Sequence, residues 1–430
     1  MRLGARAAAL LGLVCALGAR ARTARATAPG LFGYGPRSTA LAQSDIAAAQ
    51  PSSAAFTNPA FACEPGTRLS FGYGHGWTHL TLDSHAIPYS DIAGTDLAMQ
   101  AGWALGDRWR VGGGIAAHVP DRSLARISFR PGSEPAFVRF DPSSYRATFD
   151  LALSLRFDAL SVGAGASVLA GARGEVRFLL GQDGNGTYAD GDTSVTLPYD
   201  VAPTVGASVD LRSASVALRY RGAQSIELAL ATRADVAVSG NPLNGTTTVN
   251  VTGQSGYEPA TWDLGARWDP IAGVRVHGAL QLARWSEAPP AAADLSLDVR
   301  LGLTPGQWLA RFVRPALRDT LSPRIGLLLE PEALQRRLAL RAGYAYSPSP
   351  VPAQASLATG ADAPAHIVAA GAGLDLGRVW GVALRSDAAL QWWMLRDRTF
   401  DKPSEVLPFA HYRAGGRLID ASLALEATWR

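Results

Sequence analysis

Histidine offers this chain its widest choice of chemistry. His75 and His79 stand four apart, the spacing by which a helix presents two ligands to one metal ion. They fall in a stretch that alternates like a strand, which points to loop-facing or lumen-facing histidines instead. His118, with serines on neighbouring segments, comes nearest to an acyl-transfer set, but no nucleophile elbow accompanies it. Asp183-Gly-Asn185-Gly-Thr187 opens like a calcium loop, then places Tyr188 where the sixth position needs glycine. Cys15 lies in an apolar leader, which leaves Cys63 alone and no intrachain disulfide to form. These residues assign no catalytic group, metal or cofactor. A lipid-acting barrel enzyme using His118 is the competing class.

The elements around these residues carry more information than the residues do. Tyr145, Ala147, Phe149, Leu151, Leu153, Leu155 and Phe157 alternate with Arg146, Thr148, Asp150, Ala152, Ser154 and Arg156. A strand sends successive side chains to opposite faces, so this stretch has an apolar face and a polar one. After Asp158-Ala159 the alternation resumes from Leu160 to Ala172. Strands of this length exceed the ~5–6 residues usual in globular proteins. The same pattern recurs about fourteen times, an even number, as bacterial single-chain barrels require. Short connections near Asp107, Asp158, Arg212, Asp269, Pro331 and Gly377 alternate with long ones around Pro88, Gly132, Asn185, Asn244, Pro305, Pro352 and Lys402. That alternation predicts an all-β fold: a transmembrane antiparallel β-barrel with short periplasmic turns and long external loops.

Composition agrees. The 430 residues are 47% apolar, yet no mature stretch is apolar for the ~18 or more residues that a transmembrane helix needs. The net charge of +4 rests on scattered arginines, Lys402 being the only lysine, which argues against a nucleic-acid surface. Arg2 and Arg6 before the apolar run Ala7 to Leu17 read as a secretory signal over 1–26, with small-residue cleavage candidates up to Ala28. Residues 27–66 do not alternate. Ser38 to Gln50 is Ala-rich and predicts one helix, capped by Ser38 and ended by Pro51. Residues 67–430 then form the barrel.

Gly35-Pro-Arg37, the Ala-rich run and Ser53-Ala-Ala-Phe-Thr-Asn58-Pro59-Ala60 resemble the N-terminal hatch of the FadL/TodX family of outer-membrane transporters for hydrophobic compounds. Arg284-Trp285-Ser286, the run Gly343 to Pro352, and Ala365-His366 resemble later strands of that family. Gln50-Pro51 stands where the family usually has an acidic residue, and Trp429-Arg430 replaces a terminal aromatic residue. The resemblance implies a hatch (Gly35, Arg37, Asn58, Pro59 and Ala60) plugging the lumen of a monomeric barrel. It also implies loop capture of ligand and a kink in the third strand that opens a lateral exit. Gly112, Gly113 and Gly114 lie on that strand, where glycine runs permit kinks. Trp308, Leu309, Phe312 and Val313 are capture candidates in a long loop. The implied partners are hydrophobic small molecules, long-chain fatty acids first and aromatic hydrocarbons second, within outer-membrane lipid and lipopolysaccharide. A general porin is the alternative channel.

Overall fold

The computed structural model describes residues 29–83, 85–86, 91–121, 136–140, 146–170, 173–183, 186–196, 199–238, 245–288, 291–301, 304–313, 317–332, 337–352, 360–401 and 411–429. Through most of the strands outside the barrel only the backbone course is described. The leader, the Asp183 loop tip and the terminal Arg430 therefore lie wholly or partly outside the described residues.

Fourteen strands close into one antiparallel barrel. They are β1 (Gly66–Leu82), β2 (Ile92–Leu105), β3 (Trp109–Pro120), β4 (Thr148–Phe157), β5 (Leu160–Ala170), β6 (Tyr199–Asp210) and β7 (Ala214–Arg221). The second half comprises β8 (Thr261–Ile271), β9 (Val274–Ala283), β10 (Thr320–Leu329), β11 (Leu338–Ser347), β12 (Ala365–Val379), β13 (Val382–Asp401) and β14 (His411–Trp429). Each strand pairs with its sequence neighbour, and β1 also pairs with β14 along its length, which leaves the barrel no open edge.

The two faces are used as a membrane requires. On β4, Leu153 is 68% exposed while Asp150 is 2% exposed. A soluble protein would bury the first and hydrate the second; a lipid-facing exterior reverses both. The opening alternation thus gives the correct faces, though β4 starts at Thr148; Arg146 and Ala147 lie outside the strand, and Tyr145 lies outside the described residues. One turn moves. The sequence places it at Gly377-Arg378, but Gly377 sits beside a bulge and the strand runs on to Val379. The hairpin turns at Trp380-Gly381, whose φ values of 51° and 83° suit a tight two-residue turn.

The hatch is a chain of short pieces rather than one helix. These are α1 (Pro29–Phe32), α2 (Gly35–Ala40), α3 (Ala54–Thr57) and 3-10 turns at Asp45–Ala48, Pro51–Ser53 and Pro59–Phe61. The predicted Ser38 to Gln50 helix fails because Ala42 and Gln43 adopt left-handed φ values of 48° and 60°, which end α2. Ser38 lies inside α2 and is no cap; its hydroxyl donates to Asp45 at 2.8 Å. Small side chains let this folded segment fill the lumen, with Ala40, Ala47, Ala54, Ala55 and Ala60 fully buried.

Three long connections leave the barrel as hairpins: 173–183 with 186–196, 224–238 with 245–258, and 291–301 with 304–313. They join into a six-stranded sheet at the long-loop end. Trp308, Leu309, Phe312 and Val313 therefore lie on a paired strand, not on an irregular loop. Their side chains lie outside the described residues.

Candidate functional site: a plugged lumen with a cavity above the plug

The hatch residues singled out in the sequence meet the wall at defined points. Asn58 is fully buried; its Nδ2 donates to the Ile46 carbonyl at 3.0 Å and its Oδ1 accepts from the Ala60 N–H at 3.1 Å. One side chain thus ties the Pro59–Phe61 turn to the earlier Asp45–Ala48 turn. Pro59 opens its turn at a position where a missing N–H costs nothing. The wall opposite is cut back to glycine: a Cβ on Gly206 would fall 2.0 Å from Asn58 Oδ1, and one on Gly163 would fall 2.4 Å from the Pro59 carbonyl carbon. Gly35 begins α2, and the Arg37 guanidinium is buried near Asp45 of the hatch and Arg341, Arg385 and Asp387 of the wall. Burial pushes the Asp45 carboxyl up, while Ser38 and then Arg37 oppose that shift.

Polar straps complete the seating. Gln100 Nε2 donates to the Ala62 and Glu64 carbonyls at 2.8 and 2.7 Å. Glu64 bonds Arg110 at 2.9 Å and Arg156 at 3.0 Å. Glu426 on β14 accepts from Gln50 and Ser52.

On the third strand, β3 pairs with β2 and β4 without a register shift through Gly112, Gly113 and Gly114. A Cβ on Gly112 would meet the Ala62 carbonyl oxygen at 2.5 Å. In this state that glycine makes room for the hatch.

Above the hatch, toward the long loops, lies a cavity of about 150 Å³. Its apolar lining includes Leu31, Phe56, Leu169, Ile367 and Trp393. Phe56 of the hatch stacks on Tyr34 at 5.2 Å and lies under the Arg221 guanidinium at 4.2 Å. Trp393 meets Phe32 of the hatch and Phe140 of an external loop, each at 5.9 Å between ring centres. Three lining arginines are matched by acids: Arg139 with Asp362 at 2.9 Å, Arg219 with Asp263 at 2.7 Å and Arg221 with Asp150 at 2.6 Å. Arg324 differs. It donates to Gln281 Oε1 at 2.7 Å and Gln43 Oε1 at 3.1 Å, and among the described residues no carboxylate lies at ion-pair distance. Glu258, at the outer rim, has its carboxyl pushed up by burial, with Arg221 pulling the other way.

The sequence did not single out these arginines. Their signal was position: Arg219, Arg221 and Arg324 fall on the lumen phase of their strands, where a soluble reading expects only solvated charge. The histidines separate. His75 and His79 share the outward face of β1, and four strand residues span about 13 Å, too far for one ion. His118 is buried and bonds Asp96 at 2.8 Å.

No protein-family model and no curated protein matches the chain. Solved structures do. A Pseudomonas aeruginosa FadL homologue is 14% identical, with 93% of this chain and 97% of that one covered at a TM-score of 0.56. The CymD monoaromatic hydrocarbon channel is 14% identical, covering 93% and 98% at 0.53. The Ralstonia pickettii toluene transporter TbuX is 14% identical, covering 94% and 100% at 0.53. The chain has the fold of the FadL/TodX-type outer-membrane transporters.

Proposed function

We propose that this protein is a passive outer-membrane channel for hydrophobic molecules that carry an anionic end, long-chain fatty acids above all. The observation that supports the reading is Arg324 in the cavity. A desolvated guanidinium held only by amide oxygens suits a carboxylate, with which it forms charge-assisted, bidentate bonds. Phe56, Leu169, Ile367 and Trp393 beside it suit an alkyl chain. A neutral hydrocarbon such as toluene would use the apolar wall and leave Arg324 unanswered.

The route has four stages. The exported chain presents its external sheet, with Trp308, Leu309, Phe312 and Val313, as a collecting surface. Ligand passes to the cavity. Since the hatch fills the lumen below, onward movement needs the hatch to shift. Once Ala62 leaves, Gly112, Gly113 and Gly114 offer a stretch of wall without side chains for lateral release.

The test is uptake of labelled oleate and labelled toluene by cells that make this protein and lack their own transporters. The reading expects oleate uptake, with toluene slower, and low ion conductance in planar bilayers. Toluene uptake without oleate uptake would overturn the ligand assignment; large ion-selective conductance would make the protein a porin.

A further inference from the structure

On the outward face, Trp77, Ile419 and Trp392 share one ladder row across β1, β14 and β13. Trp77 and Trp392 are 39% and 45% exposed. Lipid-facing tryptophans at one height mark the interface between hydrocarbon and headgroups. The next outward row toward the long loops is His79, Arg417 and Met394. It stands two residues further along, about 7 Å up each strand.

One row higher the ladder is broken by a bulge. Leu395 pairs with Gly416 and Arg398 with Ala414, so Arg396 and Asp397 together oppose Gly415. A bulge turns an extra side chain outward, and both residues are exposed. Asp397 folds over Gly415, where a Cβ would come within 1.9 Å of its carboxylate, and it pairs with Arg413. Gly416 takes the left-handed φ of 128° that the distortion imposes. Asp397 therefore neutralises Arg413. Arg396 and Arg417 remain exposed, with no side-chain ion pair among the described residues, and His79 lies beside them.

We propose that this patch on β13, β14 and β1, built on Arg396 and Arg417, binds the phosphate of an outer-leaflet lipid headgroup. Two guanidiniums just above a tryptophan row are at the height of headgroup phosphates, and arginine pairs with phosphate in a forked geometry. The ladder break gives the bulge a reason, since a regular β13 would send one of Arg396 and Asp397 inward. The proposal is independent of what the lumen carries.

The test compares the wild type with an R396Q/R417Q variant. The probes are bis-phosphorylated lipid A, the same lipid stripped of its phosphates, and inorganic phosphate, with binding read in detergent by native mass spectrometry. Arg108→Gln, in an exposed turn at the opposite end, serves as control. Wild type and the control should prefer the phosphorylated lipid by about tenfold or more, and the double variant should lose that preference. Inorganic phosphate at millimolar concentration should not displace the lipid. Equal affinity of the wild type for both lipids, or an unchanged preference in a correctly folded double variant, would overturn the proposal. Displacement by inorganic phosphate would also overturn it, by reducing the patch to a general anion site. Should the double variant misfold, the wild-type preference and its retention in R396K/R417K decide.

Discussion

Arg324 and Glu258 are two charged residues that line the cavity. For Arg324→Gln, oleate binding should weaken about tenfold or more, the ~1.5–3 kcal/mol typical of a hydrogen bond to a charged group. Affinity for an alkane of equal length should stay within twofold, roughly the scatter of a neutral surface change. Equal losses for both ligands, by calorimetry in detergent, would mean that Arg324 shapes the cavity without reading the carboxylate. Glu258 makes a pH prediction. Burial pushes its carboxyl up, so the folded chain keeps a proton over a range in which the unfolded chain has released it. Stability then falls as pH rises through that range, because the native state must hold a desolvated carboxylate. Glu258→Gln removes this penalty. Thermal melts should show the variant more stable than wild type at alkaline pH, with the gap closing as pH falls. A gap that widens toward acid would reverse the sign and refute the account of the rim.

At the scale of elements, the hatch and the wall fit by subtraction: where the hatch presses outward, the strands carry glycine. Gly206→Leu should therefore dislodge the hatch, since even a Cβ would overlap Asn58 Oδ1. The barrel itself should survive, because Gly206 keeps its ladder partners on β5 and β7. Planar-bilayer conductance should rise while heat-modifiable gel migration stays that of a folded barrel. Asn58→Ala should do the same more mildly, by removing the tie between two turns of the hatch. Unchanged conductance in both would show that the seating does not depend on this contact. The period-two alternation made the strands legible in sequence, since one side chain in two faces lipid and the pattern cannot slip by one residue without inverting both faces. The hatch interior was less legible. Nothing in Leu41-Ala42-Gln43 announces a left-handed turn. It arises because the segment must fold back inside a closed wall, and tertiary confinement outweighs the helix preference of alanine.

For the whole molecule, loop lengths carried the topology: six short turns against seven long connections permit little but a fourteen-strand up-and-down barrel. The six-stranded external sheet could not be read the same way. Its hairpins come from three separate connections, and what joins them is pairing between segments far apart in sequence, including a parallel contact between 224–238 and 173–183. The cavity was illegible for a related reason. Its lining draws on the hatch, an external loop and strands from β5 to β13, and only closure of the barrel brings them together. On the proposed function, a hydrophobic carboxylate occupies this space in the lumen. A photoactivatable fatty acid carrying a diazirine on its alkyl chain, cross-linked in membranes and located by peptide mass spectrometry, reads that occupancy residue by residue. Label on Phe56, Leu169, Ile367 or Trp393, lost on adding excess oleate, is the predicted result. Label confined to outward residues such as Leu153, and insensitive to oleate, would contradict it.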